Sequence, residues 1–154
     1  MTLIIVPFDQ PPGQPSEEPS GGAARRPERD PRRELGARGE DVAAAYLTSL
    51  GMEILDRNWR GRDGEIDIVA LAAGTLVIVE VKTRSGDGFG PPAGAVTARK
   101  YARLRRLAAQ WLDEHEVRAG EVRIDVVSVR PVHSPGERDG QAVAEIEHIA
   151  GAFR

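Results

Sequence analysis

The chain has 154 residues, a formal net charge of −3 and no cysteine. That length suits one domain with tails, and the missing cysteine excludes disulfide frameworks, thiolate chemistry and cysteine-held zinc. The mild acidity argues against a protein that coats polyanions over its whole surface, though it leaves room for local basic patches.

No apolar run reaches the ~18 residues of a membrane span. Met1-Thr-Leu-Ile-Ile-Val-Pro7 has neither a basic start nor a small-residue cleavage site, so it is not read as a signal peptide. The expectation is a soluble, cytoplasmic protein with no membrane partner. Residues 9–33 are rich in Pro, Gly, Ser, Glu and Arg and lack the apolar content to offset the entropy of ordering. Residues 1–33 are therefore assigned to a disordered N-terminal extension and residues 34–154 to the folded domain. The arginines of the extension (Arg25, Arg26, Arg29, Arg32, Arg33) alternate with Glu28 and Asp30, which reads as a solvated linker rather than a nucleic-acid arm.

A first helix is predicted from about Arg33 to Leu50, stopping at Gly51. Val42, Ala45, Tyr46 and Ser49 fall on one side, and Ala43, Leu47 and Leu50 widen the stripe. Met52–Trp59 reads as a strand. Gly64–Leu71 and Thr75–Thr83 read as two more, joined through Ala72-Ala-Gly74 as a hairpin. Gly and Pro make Ser85–Gly94 a loop. Its glycines Gly86, Gly88 and Gly90 lack a following Gly-Lys-Ser/Thr, so it reads as a flap rather than a phosphate loop. Val96 to about Glu114 is a second helix, with Leu104, Leu107, Ala108 and Trp111 as its apolar face. Glu121–Arg130 is a strand, residues 131–140 a polar loop, and Ala142–Ile149 a last strand. The order α-β-β-β-α-β-β predicts one α/β domain, a mixed sheet flanked by helices.

Lysine and arginine together number 21, yet only Lys82 and Lys100 are lysine. In a chain that otherwise uses arginine, these two positions stand out. Lys82 lies in Thr75-Leu-Val-Ile-Val-Glu-Val-Lys-Thr83, a β-branched run in which a carboxylate and an ammonium are costly unless paired or used. Strand alternation places Glu80 and Lys82 on one face, roughly 6.6–7 Å apart, with Val77, Val79 and Val81 on the other. Asp67, in Gly64-Glu-Ile-Asp-Ile-Val69, lies on the neighbouring strand. The hairpin register decides whether it meets Glu80. If the carboxylates meet, they repel unless a proton or cation intervenes, and a hard divalent ion with oxygen ligands answers that. Glu40 of the first helix could add a carboxylate through water. The competing reading is a solvated ion pair on an edge strand, which the apolar opposite face argues against.

These residues resemble the PD-(D/E)xK, restriction-endonuclease-like superfamily, and more closely the YraN-like bacterial family. The matching stretches are Leu35–Leu47, Asn58-Trp-Arg60, Gly64–Val69, Val79-Glu-Val-Lys-Thr-Arg84, Phe89-Gly90, Ala95-Val96, Lys100, Asp125-Val-Val127 and Ile146–Phe153. The nearest enzymes in the resemblance are archaeal Holliday-junction resolvases. The Pro of the superfamily motif is replaced by Ile66. The resemblance implies a restriction-endonuclease-like fold and metal-dependent phosphodiester hydrolysis on DNA, branched or otherwise structured. Glu40, Asp67 and Glu80 would hold magnesium or manganese, and Lys82 would be the catalytic lysine. A DNA-binding module of recombination or repair with little turnover is the alternative.

Arg84 follows the Glu-x-Lys strand and could hold a phosphate bidentately. Arg99, Lys100 and Arg103, with Arg105 and Arg106, crowd the second helix without an acidic neighbour and are the other candidate DNA contacts; a solvated face is the competing account. His115, His133 and His148 show no metal-ligand spacing and are read as incidental. Trp59 and Trp111 are assigned to the core. Oligomeric state stays open, a homodimer among the alternatives.

Overall fold

The computed structural model describes residues 2–7, 30–84, 97–133 and 142–152. The chain runs β1 (Thr2–Pro7), α1 (Pro31–Ser49), β2 (Glu53–Gly61), β3 (Gly64–Ala72), β4 (Thr75–Thr83), α2 (Ala98–Glu114), β5 (Glu121–His133) and β6 (Ala142–Ile149). The strands form one six-stranded sheet in the order β1-β6-β5-β4-β3-β2. The expected α/β class, a mixed sheet flanked by helices, is what the chain adopts.

The central pair, β4 and β5, is parallel, from Thr75↔Glu121 to Thr83↔Val129. A parallel pair needs a long crossover, and α2 lies within it. All other neighbours are antiparallel. The β3–β4 hairpin turns through Ala73 and Gly74, both at positive φ (47° and 84°), the pairing of left-handed positions that a two-residue turn between twisted strands requires.

Burial on both faces explains why the central strands are almost uninterrupted apolar runs. On one face α1 lays Val42, Ala43, Tyr46 and Leu47 over Ile68, Ala70, Val77, Val79, Val127 and Val129. On the other, α2 lays Leu104, Leu107, Ala108 and Trp111 over Val69, Leu76, Ile78 and Ile124. The α2 face is the one expected from spacing. The α1 stripe holds in part: Val42, Ala43, Tyr46 and Leu47 are buried as expected, whereas Ala45 and Ser49 are exposed and Leu50 is 52% exposed. The buried set adds Gly39 and Ala44 to those four, which shifts the stripe away from Ala45, Ser49 and Leu50.

Several boundaries also differ, three of them with consequences. α1 begins at Pro31, because Asp30 caps it by accepting the Arg32 amide at 3.0 Å and proline suits a first helical position. The folded domain therefore starts before residue 34. β5 continues to His133, pairing Pro131 with Ala144 and Val132 with Val143, so residues 131–133 of the expected loop are strand, and the rest of it lies outside the described residues. The assignment of residues 1–33 to a disordered extension is corrected at its start. Thr2–Pro7 is a strand on the outer edge of β6, with Thr2↔Ile146 and Ile4↔Ala144 in register. A run with β-branched residues such as Ile4-Ile-Val6 suits a strand, and the strand covers backbone groups that β6 would otherwise leave open. The linker assignment for residues 8–29 and the flap assignment for Ser85–Gly94 lie outside the described residues.

Candidate active site

β3 and β4 part company at one end of the sheet. Their ladder runs from Ala72↔Thr75 to Ile68↔Val79 and stops. Beyond that point the side chains of β3 lose strict alternation: Ile68 packs under α1, yet Ile66, two residues earlier, packs under α2. Asp67 sits between them, just past the last β3–β4 pair. Its carboxylate replaces the lost ladder by accepting the Val81 amide, Oδ2 to N at 2.8 Å. The hairpin register therefore brings Asp67 beside Glu80.

Burial pushes the Asp67 carboxyl up to about 7. The charge of Glu80 acts the same way, the Val81 amide opposes it, and Glu40 and Glu65 add further upward pressure. Three other carboxylates thus act on one half-buried acid, a concentration of negative charge with a proton as its ready counterion.

Glu80 has different company. Its side chain is only 12% exposed, and two ammonium groups reach the same oxygen, Oε1. Lys82, two residues along β4, stands 3.6 Å away. Lys100, from the first turn of α2, donates a short hydrogen bond to it. The sequence placed Lys100 among the surface DNA contacts; the fold turns it inward onto Glu80. Both lysines of the chain thus meet at one carboxylate.

Glu40 approaches from the α1 side. With Arg32, Leu35 and Gly36 of α1, and Val81, Lys82 and Thr83 of β4, it lines a groove of about 400 Å³. The groove exists because α1 lies close on β4 at Gly39, which rests against Thr83.

The remaining candidates divide. The Arg84 amide extends the β4–β5 ladder by donating to the Val129 carbonyl at 3.0 Å. Arg99 is exposed at the start of α2. Arg103 lies over the β2–β3 turn: a Cβ on Gly64 would stand 3.1 Å from its Nη1, and Gly64 itself has φ 137°. Arg105 donates to the Val122 carbonyl and Arg106 pairs with Asp63 at 3.3 Å. Part of this basic helix therefore serves the fold.

Among the described residues, no three Asp, Glu or His side chains stand together as a metal-holding group. A magnesium-like ion in its usual sparse mode needs only one or two carboxylates, with water and phosphate in the other positions. Asp67 and Glu80 would supply the carboxylates, and the excess negative charge around Asp67 is what a cation relieves.

One cluster was not legible. Asp125 of β5 is fully buried. It accepts a forked pair of bonds from Arg123 at 2.8 and 2.9 Å, one from His148 Nε2 at 2.9 Å and one from the Gly151 amide at 2.9 Å. His148 Nδ1 in turn meets the Tyr46 hydroxyl at 3.3 Å. His148, read as incidental, thus ties the chain end to α1 and the sheet. Histidine spacing carried no sign of it, since its partners are 23 and 102 residues away.

Fold and site together define a mixed-sheet α/β domain with a carboxylate–lysine cluster where two of its strands diverge. The model of the family described as Uncharacterised protein family UPF0102 matches residues 39–129, and the chain belongs to that family. Its relatives include a UPF0102 protein of Rhodococcus opacus (strain B4), 51% identical over 119 residues, covering 77% of this chain and 95% of the relative. A UPF0102 protein of Beutenbergia cavernae is 53% identical over 117 residues, 76% and 93% of the two chains. One from Mycobacterium tuberculosis (strain ATCC 25177 / H37Ra) is 52% identical over 120 residues, 77% and 91%. The resemblance to the YraN-like family is borne out at this level. A solved structure, Pyrococcus furiosus SfsA in complex with Ca2+, superposes with a TM-score of 0.32 at 12% identity, over 77% of this chain and 63% of the other; a likeness that loose carries no argument.

Proposed function

We propose that this protein is a metal-dependent nuclease that hydrolyses phosphodiester bonds in DNA, branched or structured DNA foremost. The observation that carries the reading is the meeting of Asp67 with Glu80 and Lys82 at the end of the β3–β4 ladder, with Glu40 on the α1 side. An acidic pair beside a lysine, at an open strand end, suits attack on a phosphate.

Asp67 and Glu80 would hold the cation, with Glu40 adding charge from the groove. Bound magnesium or manganese would neutralise phosphate oxygens and acidify a water. The work left to the chain is positional. Lys82, with 37% of its side chain exposed, can reach from Glu80 to a phosphate oxygen or an attacking water. Its ammonium offers a compact charge to the negative charge that develops there. Arg99 and Arg103 of α2, with Arg84 after β4, are the candidate contacts to the phosphate backbone.

The test is a cleavage screen of linear, flapped, forked and four-way DNA with magnesium, manganese or EDTA. Metal-dependent nicking that Asp67→Asn abolishes is the expected result. Intact DNA throughout, with metal and wild-type protein, would sink the nuclease reading. One observation favours a second reading, a DNA-binding module with little turnover: Glu80 is already engaged by two ammonium groups. In the same screen that reading gives salt-sensitive binding without cleavage.

A further inference from the structure

The two lysines on Glu80 are not equivalent. Lys82 belongs to the same strand and stands 3.6 Å from Oε1, whereas Lys100 comes from another element and makes the shorter contact. Lys100 is also the more enclosed, 19% exposed against 37%.

Its position on α2 is electrostatically awkward. Thr97 caps the helix by accepting the Lys100 amide at 3.2 Å, so Lys100 sits in the first turn, where free amides favour negative charge. That turn holds no acidic residue. Arg99 precedes Lys100 and Arg103 follows one turn later. What holds a cation inward there is Glu80, a carboxylate of β4 beneath the helix.

We propose that Lys100 is a displaceable counterion. Without DNA its ammonium occupies the place on Glu80 that a divalent metal takes; a DNA phosphate arriving at the first turn of α2 draws it off, so that metal and DNA load together. The proposal rests on the metal-dependent reading above and gives that site its regulation. Glu80 cannot give the same oxygen to an ammonium and a divalent ion at full strength. Lys100 has a second ligand to go to, a phosphate beside Arg99 and Arg103. Displacement stabilises both partners at once, and linkage makes the effect reciprocal. Metal alone would bind weakly and DNA would strengthen it, which restrains hydrolysis to the complex.

The test measures binding, not turnover. Manganese is titrated calorimetrically into DNA-free wild type, Lys100→Gln, Lys100→Arg and Arg99→Gln, with melting curves confirming that each folds. Lys100→Gln should bind manganese about tenfold more tightly than wild type, within the usual range of site–site coupling. Lys100→Arg, which keeps a cation on Glu80, should not gain, and Arg99→Gln should stay within about twofold, separating a specific counterion from bulk charge. Binding of a fluorescein-labelled four-way junction is then compared in calcium and in EDTA at one ionic strength. Calcium should strengthen wild-type binding about tenfold and Lys100→Gln less than about threefold. Equal, measurable manganese affinities in wild type and Lys100→Gln would overturn the counterion role and leave the metal-dependent reading standing. So would equal gains in Lys100→Gln and Arg99→Gln. No metal binding by any form, and no calcium effect on the junction, would overturn both.

Discussion

Gly39 of α1 rests directly on Thr83 of β4: a Cβ built at position 39 would stand 1.8 Å from the Thr83 Oγ1 and 2.9 Å from its Cβ and Cγ2. This contact sets the height of the helix over the strand. It fixes how near Glu40, the next residue, comes to Lys82 across the groove. Only a residue without a side chain allows the approach.

Gly39→Ala should therefore force α1 off β4. Overpacking of this kind costs about 1–3 kcal/mol, and the better helix propensity of alanine offsets up to about 1. A net loss of about 1–2 kcal/mol is expected, read as a lower denaturant midpoint. Adding Thr83→Ala removes Oγ1 and Cγ2 and should restore part of it. A Gly39→Ala protein as stable as wild type would show that the helix can shift without strain.

Asp67 makes a pH signature. Its carboxyl is raised to about 7 by burial and by Glu80, so between the unfolded value of 3.8 and about 7 the folded protein holds more protons than the unfolded chain. The stability this contributes is fully present below the unfolded value and is lost as pH rises through about 7. Asn cannot titrate and still accepts the Val81 amide. The melting-temperature advantage of Asp67→Asn should open between those two values and stay level above. Its size should be about 1–2 kcal/mol, below the full linkage value because the side chain is only partly buried. An advantage independent of pH would mean that Asp67 carries no trapped charge.

Asp125 runs in the opposite sense. Burial pushes its carboxyl up, but hydrogen bonds from His148, Arg123 and the Gly151 amide outweigh that and hold it below the usual range. That stability is present above the unfolded value of 3.8 and lost as pH falls through the folded one. Asp125→Asn leaves Arg123 without its buried counter-charge and should cost about 3–5 kcal/mol near neutrality. The loss should shrink in acid, where wild type gives up the same interaction. Urea midpoints of both proteins at neutral and acid pH make the comparison, and equal midpoints at neutrality would remove the network from the fold's stability.

The site was more legible than its surroundings because its signal is local. Thr75–Thr83 has the boundaries the sequence implied, and the strand period of two already put Glu80 and Lys82 on one face. The α2 stripe likewise follows from spacing of three and four along one helix. What stayed hidden depends on distant pairing. Lys100 sits 20 residues from Glu80, and only the packing of α2 on the sheet turns it inward. Two partners of Asp125, His148 and the Gly151 amide, come from far along the chain, and Tyr46 of α1 joins the cluster only through His148. Alternation failed beside Asp67, where the β3–β4 ladder has ended and Ile66 packs under α2 although Ile68 packs under α1.

β1 was hidden for a related reason. Thr2–Pro7 is short and is followed by a long polar stretch, so its strand character reads as a fragment until β6 is there to receive it. Deleting residues 1–7 uncovers the outer edge of β6 and should lower the melting temperature and promote association through the exposed edge. Unchanged melting and a monodisperse truncated protein would show that the strand adds nothing to the fold.

Lys82 gives the sharpest expectation for chemistry. Lys100 makes the closer contact to Glu80, while Lys82 stands at 3.6 Å with more of its side chain open to the groove. A lysine held loosely against a carboxylate can swing to a phosphate. An arginine there would lay a planar fork on Glu80 and hold to it, since guanidinium matches carboxylate geometry where ammonium is a point charge. Lys82→Arg should therefore keep the fold and DNA affinity, the latter measured in calcium. Nicking in saturating magnesium should fall about a hundredfold or more, the scale of losing one preorganised donor to a developing charge. Lys82→Ala should lose cleavage to a similar extent, because neither side chain delivers a compact charge to the phosphate. If Lys82→Arg nicks the best substrate at the wild-type rate, the lysine has no catalytic part and its role reduces to pairing with Glu80.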